Sequence, residues 1–166
     1  MTLDESSKTA RRCKQLYDFT RQYLLSLHPW SFALRSVNLS PTEDYKSTNW
    51  LYAFRRPSDC LKIVKMDLQP TDYIIEDKFI CCDEKSLNLL YVKDLEDVNQ
   101  FSRPFYVVCV KAMTRALIPT IAQNYQLQAQ VDKEYMEALR EARHFDSVEQ
   151  RKLEYFKDDW ILARYM

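Results

Sequence analysis

The sequence predicts an α+β fold: amphipathic helices forming a small bundle, with an antiparallel β meander inserted between them. Three observations predict it. Apolar residues recur every three or four positions before Pro29 and again after Ser102, which is helical periodicity. Between Trp30 and Val92 they alternate or form short runs, as strands do, and the links between those runs are too short for parallel crossovers.

The first helix is amphipathic: Ala10, Cys13, Leu16, Tyr17, Thr20, Tyr23, Leu24 and Leu27 recur at three and four residues, with Arg12, Lys14, Gln15, Asp18 and Gln22 largely between them. Thr2 with Glu5, or Asp4 and Ser6, supplies its cap, and Pro29 ends it. Trp30, Phe32 and Leu34 then fall on one face of an extended segment, and Trp50, Tyr52 and Phe54 on one face of a second. Pro29 and Pro57 bracket this two-strand start, and the aromatics read as core. Further short runs follow from Leu61 to Leu68, Tyr73 to Ile75, Phe79 to Cys82 and Leu87 to Val92.

After that the period changes. Pro104 suits a first helical turn, with Ser102 or Asn99 as cap, and Phe105, Val108, Cys109, Ala112, Met113, Ala116 and Leu117 form the stripe. Pro119 is expected to kink or end this helix. A second carries Leu127, Val131, Tyr135, Ala138, Leu139 and Ala142. Ser147, with Gln150 three residues later, reads as a capping box opening a third, which bears Leu153, Phe156, Trp160 and Ala163. Residues 1–166 form one domain on this reading, and 147–166 are a carboxy-terminal helix or docking tail.

Composition narrows the function. At 166 residues and 46% hydrophobic content the chain can build a core without disulfides or metal. Its 24 basic and 24 acidic residues balance, unlike the basic excess of a protein devoted to neutralising nucleic acid. No apolar run is long enough for a membrane span, and the start lacks a secretory pattern, so synthesis and use from the cytosol are expected. The five cysteines are odd in number and irregular in spacing, as buried reduced thiols are. There is no glycine, where average usage would give about a dozen. P-loops, dinucleotide fingerprints and nucleophile elbows are thereby excluded, since each needs glycine backbone. Turns must use other residues that tolerate left-handed geometry, and Asp77 and Asp83 are the expected cases.

A cysteine nucleophile needs a nearby histidine and an orienting group, and the spacing selects neither Cys60 nor Cys109. His28 reads as a cation at a helix end. The acidic sets Asp94, Glu96, Asp97 and Asp158, Asp159 read as solvated surface, because neither forms a calcium loop. Arg11, Arg12 and Lys14, and the pair Arg55 and Arg56, read as solvent faces or interface salt bridges, with phosphate contact as the alternative. No catalytic, cofactor-binding or metal-binding residue is assigned. The chain end differs: Trp160, Ile161, Leu162, Tyr165 and Met166 crowd where domains normally fray. Either this helix packs on its own domain or it docks on another subunit.

The ordered landmarks DESSKTARRCKQLYDFTRQYLLSLHPWSFA, WLYAFRRPSDCLKI, YIIEDKFICCDEKSLNLLYVKD, NQFSRPFYVVCVKAM and YMEALREAR resemble the tail tubular protein A family. These are head-to-tail adaptors of short-tailed phages and prophages, and the resemblance runs from about Leu3 to Arg164. It implies a non-enzymatic, cofactor-free virion protein at the head–tail junction, made in the host cytoplasm. Twelve copies would form a ring under the portal protein, with the tail nozzle protein beneath, and DNA would cross the lumen without sequence-specific binding. The family's carboxy-terminal reach onto the portal maps to Ser147 to Met166, making Trp160, Ile161, Leu162, Arg164 and Tyr165 the candidate portal contacts. The strands around Tyr73 to Val92 would face the nozzle. Relatives carry a further helix before this chain's start, so a shorter or differently completed bundle is expected here. The family's glycine in the turn at Glu76 to Lys78 is replaced by Asp77. Alternatives are another virion ring such as a tail terminator, a cytosolic hydrolase or a nucleic-acid-binding protein.

Overall fold

A computed structural model describes the backbone of residues 8–121 and 125–162, and the side chains of 10–119 and 125–150. Among the described residues, in chain order, three α-helices, α1 (Lys8–Ser26), α2 (Arg103–Ile121) and α3 (Tyr125–Leu162), precede and follow six strands: β1 (Leu34–Leu39), β2 (Tyr52–Arg55), β3 (Cys60–Met66), β4 (Tyr73–Glu76), β5 (Phe79–Cys82) and β6 (Leu87–Lys93). The α+β class is as the periodicity indicates. Two compact units divide the chain: unit 1 comprises Met1–Phe32 and Leu95–Met166, and unit 2 is the inserted Ala33–Asp94.

In unit 2 every strand pair is antiparallel, as short links require. The order is not that of a meander. The strands form two three-stranded sheets, β1-β6-β3 and β2-β5-β4, in which only β4 and β5 are consecutive in sequence. Burial explains the centre of the first sheet: β6 brings Leu87, Leu89, Tyr91 and Val92, all essentially buried, and so takes the position flanked on both sides. Phe54, Ile80, Cys82, Leu87 and Leu89 share one core cluster with Cys60 and Tyr91. Asp77 takes the left-handed φ of 53° in the β4–β5 turn. Asp83 does not; its Oδ1 instead accepts the Leu51 N–H at 3.0 Å.

The first expected strand face is corrected. Ser31–Ala33 is a single 3₁₀ turn, and Trp30 and Phe32 belong to the helical unit. The Trp30 indole N–H donates to the Leu24 carbonyl at 2.9 Å, which folds the chain back on α1 and prevents an extended run. Its ring meets Phe105 edge-on at 4.9 Å, and Phe32 lies 5.0 Å from Phe105, so these aromatics are core, but of unit 1.

The expected helix start at Ser147 is also corrected, because α3 runs unbroken through it for 38 residues. Its hydroxyl donates back to the Arg143 carbonyl at 2.8 Å, a mid-helix use of serine that competes with capping. Ala142 and Asp146 continue the buried stripe of Val131, Tyr135 and Leu139 across the expected gap. Pro119 lies inside α2, whose last residue is Ile121. At 1.5 Å per residue α3 is about 57 Å long and α2 about 28 Å, so α2 alone covers only about half of its partner.

Candidate functional site

The most elaborate polar site in unit 1 is built where α1 ends. His28, Pro29 and Ser31 approach Asp146 and Gln150 of α3. The Asp146 carboxylate, 3% exposed, accepts the Ser31 N–H at 2.9 Å and the Ser31 hydroxyl at 2.7 Å on one oxygen. The other oxygen lies 3.0 Å from His28 Nε2 and accepts the Gln150 amide at 2.9 Å. Gln150 also donates to the Pro29 carbonyl at 2.8 Å. A buried carboxylate is costly unless its lone pairs are filled, and here both oxygens are doubly engaged.

Serine, histidine and aspartate thus meet, but not in the order a hydrolase needs. A nucleophilic serine passes its proton to imidazole, which the carboxylate orients. Ser31 and His28 both address Asp146 instead. The cluster therefore works as a clamp that pins the α1 corner to α3. His28 is not simply a cation at a helix end, since its partner is a side chain 118 positions away. Asp146 was missed by sequence reading, although its position four residues after Ala142 on the stripe is the signal that marks it.

Four of the five thiols are buried. Burial pushes the Cys109 thiol up to about 12, against a smaller opposing influence of the Arg21 guanidinium. Cys60, Cys81 and Cys82 are likewise raised by burial. A thiol held protonated is a poor nucleophile and a poor metal ligand. Among the described residues no three His, Cys, Asp or Glu side chains are grouped to hold a metal ion, and no described helix is long and apolar enough to cross a membrane. Asp97 caps a 3₁₀ turn; the Gln100 amide and the Asn99 N–H on its carboxylate hold its pKa below the usual range.

The helical unit also presents apolar surface. Tyr106, Val107 and Val110 lie on the α2 face opposite its buried stripe, 52%, 48% and 47% exposed. A groove of about 350 Å³ is floored by Leu24, Ala112 and Ala116 and walled by Phe19 and Tyr23, whose rings stack at 6.5 Å. Arg115 borders it, held by Asp132 at 2.6 Å and set 5.2 Å from the Tyr135 ring centre. Lys111 pairs with Glu134 in the same α2–α3 seam. Such a groove suits an apolar side chain and brings no nucleophile beside a base.

Of the candidate portal contacts, Trp160, Ile161 and Leu162 lie on the α3 backbone with side chains outside the described set. Arg164 and Tyr165 lie outside the described residues altogether. No protein-family model matches this chain, and no curated protein matches it.

Proposed function

We propose that this chain is a head-to-tail adaptor of a short-tailed virion, a non-enzymatic subunit whose copies, twelve by resemblance, ring the passage for DNA between portal and tail nozzle. The observation that carries the reading is the apolar exterior of unit 1. Tyr106, Val107 and Val110 form a contiguous exposed stripe on α2, and Met136, Phe145 and Val148 are exposed on α3. Exposed apolar side chains gathered on a helical unit suit contact with another protein. A ring repeats one such contact at every subunit, so a modest interface suffices once closed. The ordered landmarks from HPWSFA to YMEALREAR lend the same support.

Mixing purified portal rings with the purified chain and imaging the particles tests this. An added ring of density is expected, and intact portals without it overturn the reading. Portal contact by the chain end is tested by truncation after Gln150 rather than before Ser147, because Gln150 belongs to the Asp146 clamp. The truncated chain should stay folded, with its helical circular dichroism lowered only by the α3 residues removed, and lose portal binding; undiminished binding removes Trp160, Ile161, Leu162, Arg164 and Tyr165 from the interface.

A further inference from the structure

Unit 2 holds a cleft of about 570 Å³ walled by Leu39, Arg55, Arg56, Pro57, Ser58 and Lys78. Three segments build it: Leu39 at the end of β1, and two that carry its polar side chains. Arg55 closes β2 and runs on into Arg56, Pro57 and Ser58, while Lys78 sits in the β4–β5 turn. The Arg56 N–H donates to the Lys78 carbonyl at 2.9 Å and ties the two segments together. Pro57 has a fixed φ, and its carbonyl accepts the Cys60 N–H at 3.0 Å in a tight turn. Three cationic side chains therefore hang from a braced backbone around one space.

Neither Asp59 nor Asp44 neutralises that space. Asp59, next in sequence to Ser58, accepts the Tyr91 hydroxyl at 3.1 Å and pairs with Lys93 at 3.9 Å, and it does not line the cleft. Asp44 reaches Arg55 at 3.6 Å, but both side chains are nearly two-thirds exposed, so water and salt screen the pair. Among the described residues Arg56 and Lys78 enter no ion pair. In a chain with equal numbers of acids and bases, an acid-free wall with three cations is a local feature.

Two guanidinium groups, an ammonium and the Ser58 hydroxyl offer many donors to one multi-oxygen anion, the pattern that phosphate recognition uses. The adjacent aromatic is already engaged: the Phe79 ring stacks on Tyr45 at 4.6 Å and lies 5.8 Å from the Arg55 guanidinium carbon. No ring lines the cleft for a base to stack on, so phosphate would be read without regard to sequence. We infer that the cleft of Arg55, Arg56, Ser58 and Lys78 is a binding site for phosphate groups, presented by a nucleic-acid backbone or as the free anion. It stands independently of portal docking.

Titrating the ¹⁵N-labelled chain with a short DNA duplex, with inorganic phosphate and with hexaglutamate separates the sources. A duplex ligand shifts the resonances of Arg55, Arg56, Ser58 and Lys78. Its affinity then falls about a hundredfold between about 25 and about 150 mM salt, as three neutralised phosphates dictate. Shifts at these residues with inorganic phosphate but not duplex identify the free anion as ligand. Replacing Arg56→Ala and Lys78→Ala together weakens binding at least about tenfold, whereas Lys65→Ala with Lys85→Ala, which removes two exposed cations elsewhere in unit 2, leaves it within about twofold. Silence of the four residues in both phosphate arms, tighter binding of hexaglutamate, or equal loss in the two double variants overturns the assignment.

Discussion

In unit 2 the two small sheets bury Phe54, Ile80, Leu87 and Leu89 completely and leave four large apolar side chains exposed. Among the described residues of unit 1, eleven are exposed while two charged residues, Arg21 and Asp146, are buried. The β unit thus encloses most of its large apolar residues and exposes Leu51, Val64, Ile74 and Ile75. The helical unit keeps apolar surface outside and relies on buried polar anchors within: the Asp146 clamp, and Arg21, which donates to the Leu95 carbonyl at 2.9 Å. One region encloses most of its large apolar side chains, and the other leaves more of them exposed. Substitutions in the two units are expected to respond differently.

The largest effect belongs to the closed core. Phe54→Ala should lower the unfolding free energy by about 4 kcal/mol, measured by urea denaturation, because the ring is wholly enclosed and its removal leaves a cavity. Asp146→Ala comes next, at about 3 kcal/mol, since it strips the acceptor from His28, Ser31 and Gln150 at once. Asp146→Asn should cost less, because its carbonyl oxygen still serves Ser31. A loss below about 1 kcal/mol for Asp146→Ala would show that unit 1 is held by packing alone and would remove the contrast.

How much of this could be read in the sequence differs between the units for physical reasons. The helical stripe on α2 is plain, because an amphipathic period repeats over several turns, whereas on α1 Tyr23 is exposed and Arg21 and Leu25 are buried instead. The aromatic segment from Trp30 to Phe32 reads as core, which holds, and as strand, which does not, since a three-residue 3₁₀ turn and a short strand differ here through one side-chain bond, that of the Trp30 indole to the Leu24 carbonyl. Strand order was hidden because antiparallel links of similar length permit several pairings, and the deep burial of β6 is a tertiary fact. Reading Ser147 as a cap split α3 in two, and the split concealed Asp146 by placing it in a gap. The Arg55 and Arg56 pair was visible, but the approach of Lys78 depends on a backbone bond between two segments.

Alkaline pH probes the buried thiols, and here the units should behave alike. Cys109 ordinarily titrates near 9.0, and burial pushes it up to about 12. The native state keeps a proton that the unfolded chain releases, so this contribution is complete below pH 9 and is lost as pH rises from 9 to about 12. By pH 10 the loss from Cys109 is about 1 kcal/mol. Cys60, Cys81 and Cys82 shift in the same direction in unit 2. Urea midpoints measured from pH 8 to 11 should fall less steeply in Cys109→Ala than in the unmodified chain; parallel slopes would mean that its thiol is not sheltered.

The smallest effect on folding carries the most information about the surface. Replacing Tyr106→Ser, Val107→Ser and Val110→Ser together removes the exposed α2 stripe without opening a cavity, because Phe105, Val108 and Cys109 on the opposite side are untouched. Serine, tyrosine and valine have similar helix propensities, so each change should alter stability by no more than about 0.5 kcal/mol. If the stripe exists to meet another subunit, the triple variant stays folded yet leaves no added ring on portal particles. Full ring density would place the subunit contact elsewhere on unit 1. A large loss of stability would show that these side chains already serve the fold, and the contrast between a closed β unit and an open helical one would have to be given up.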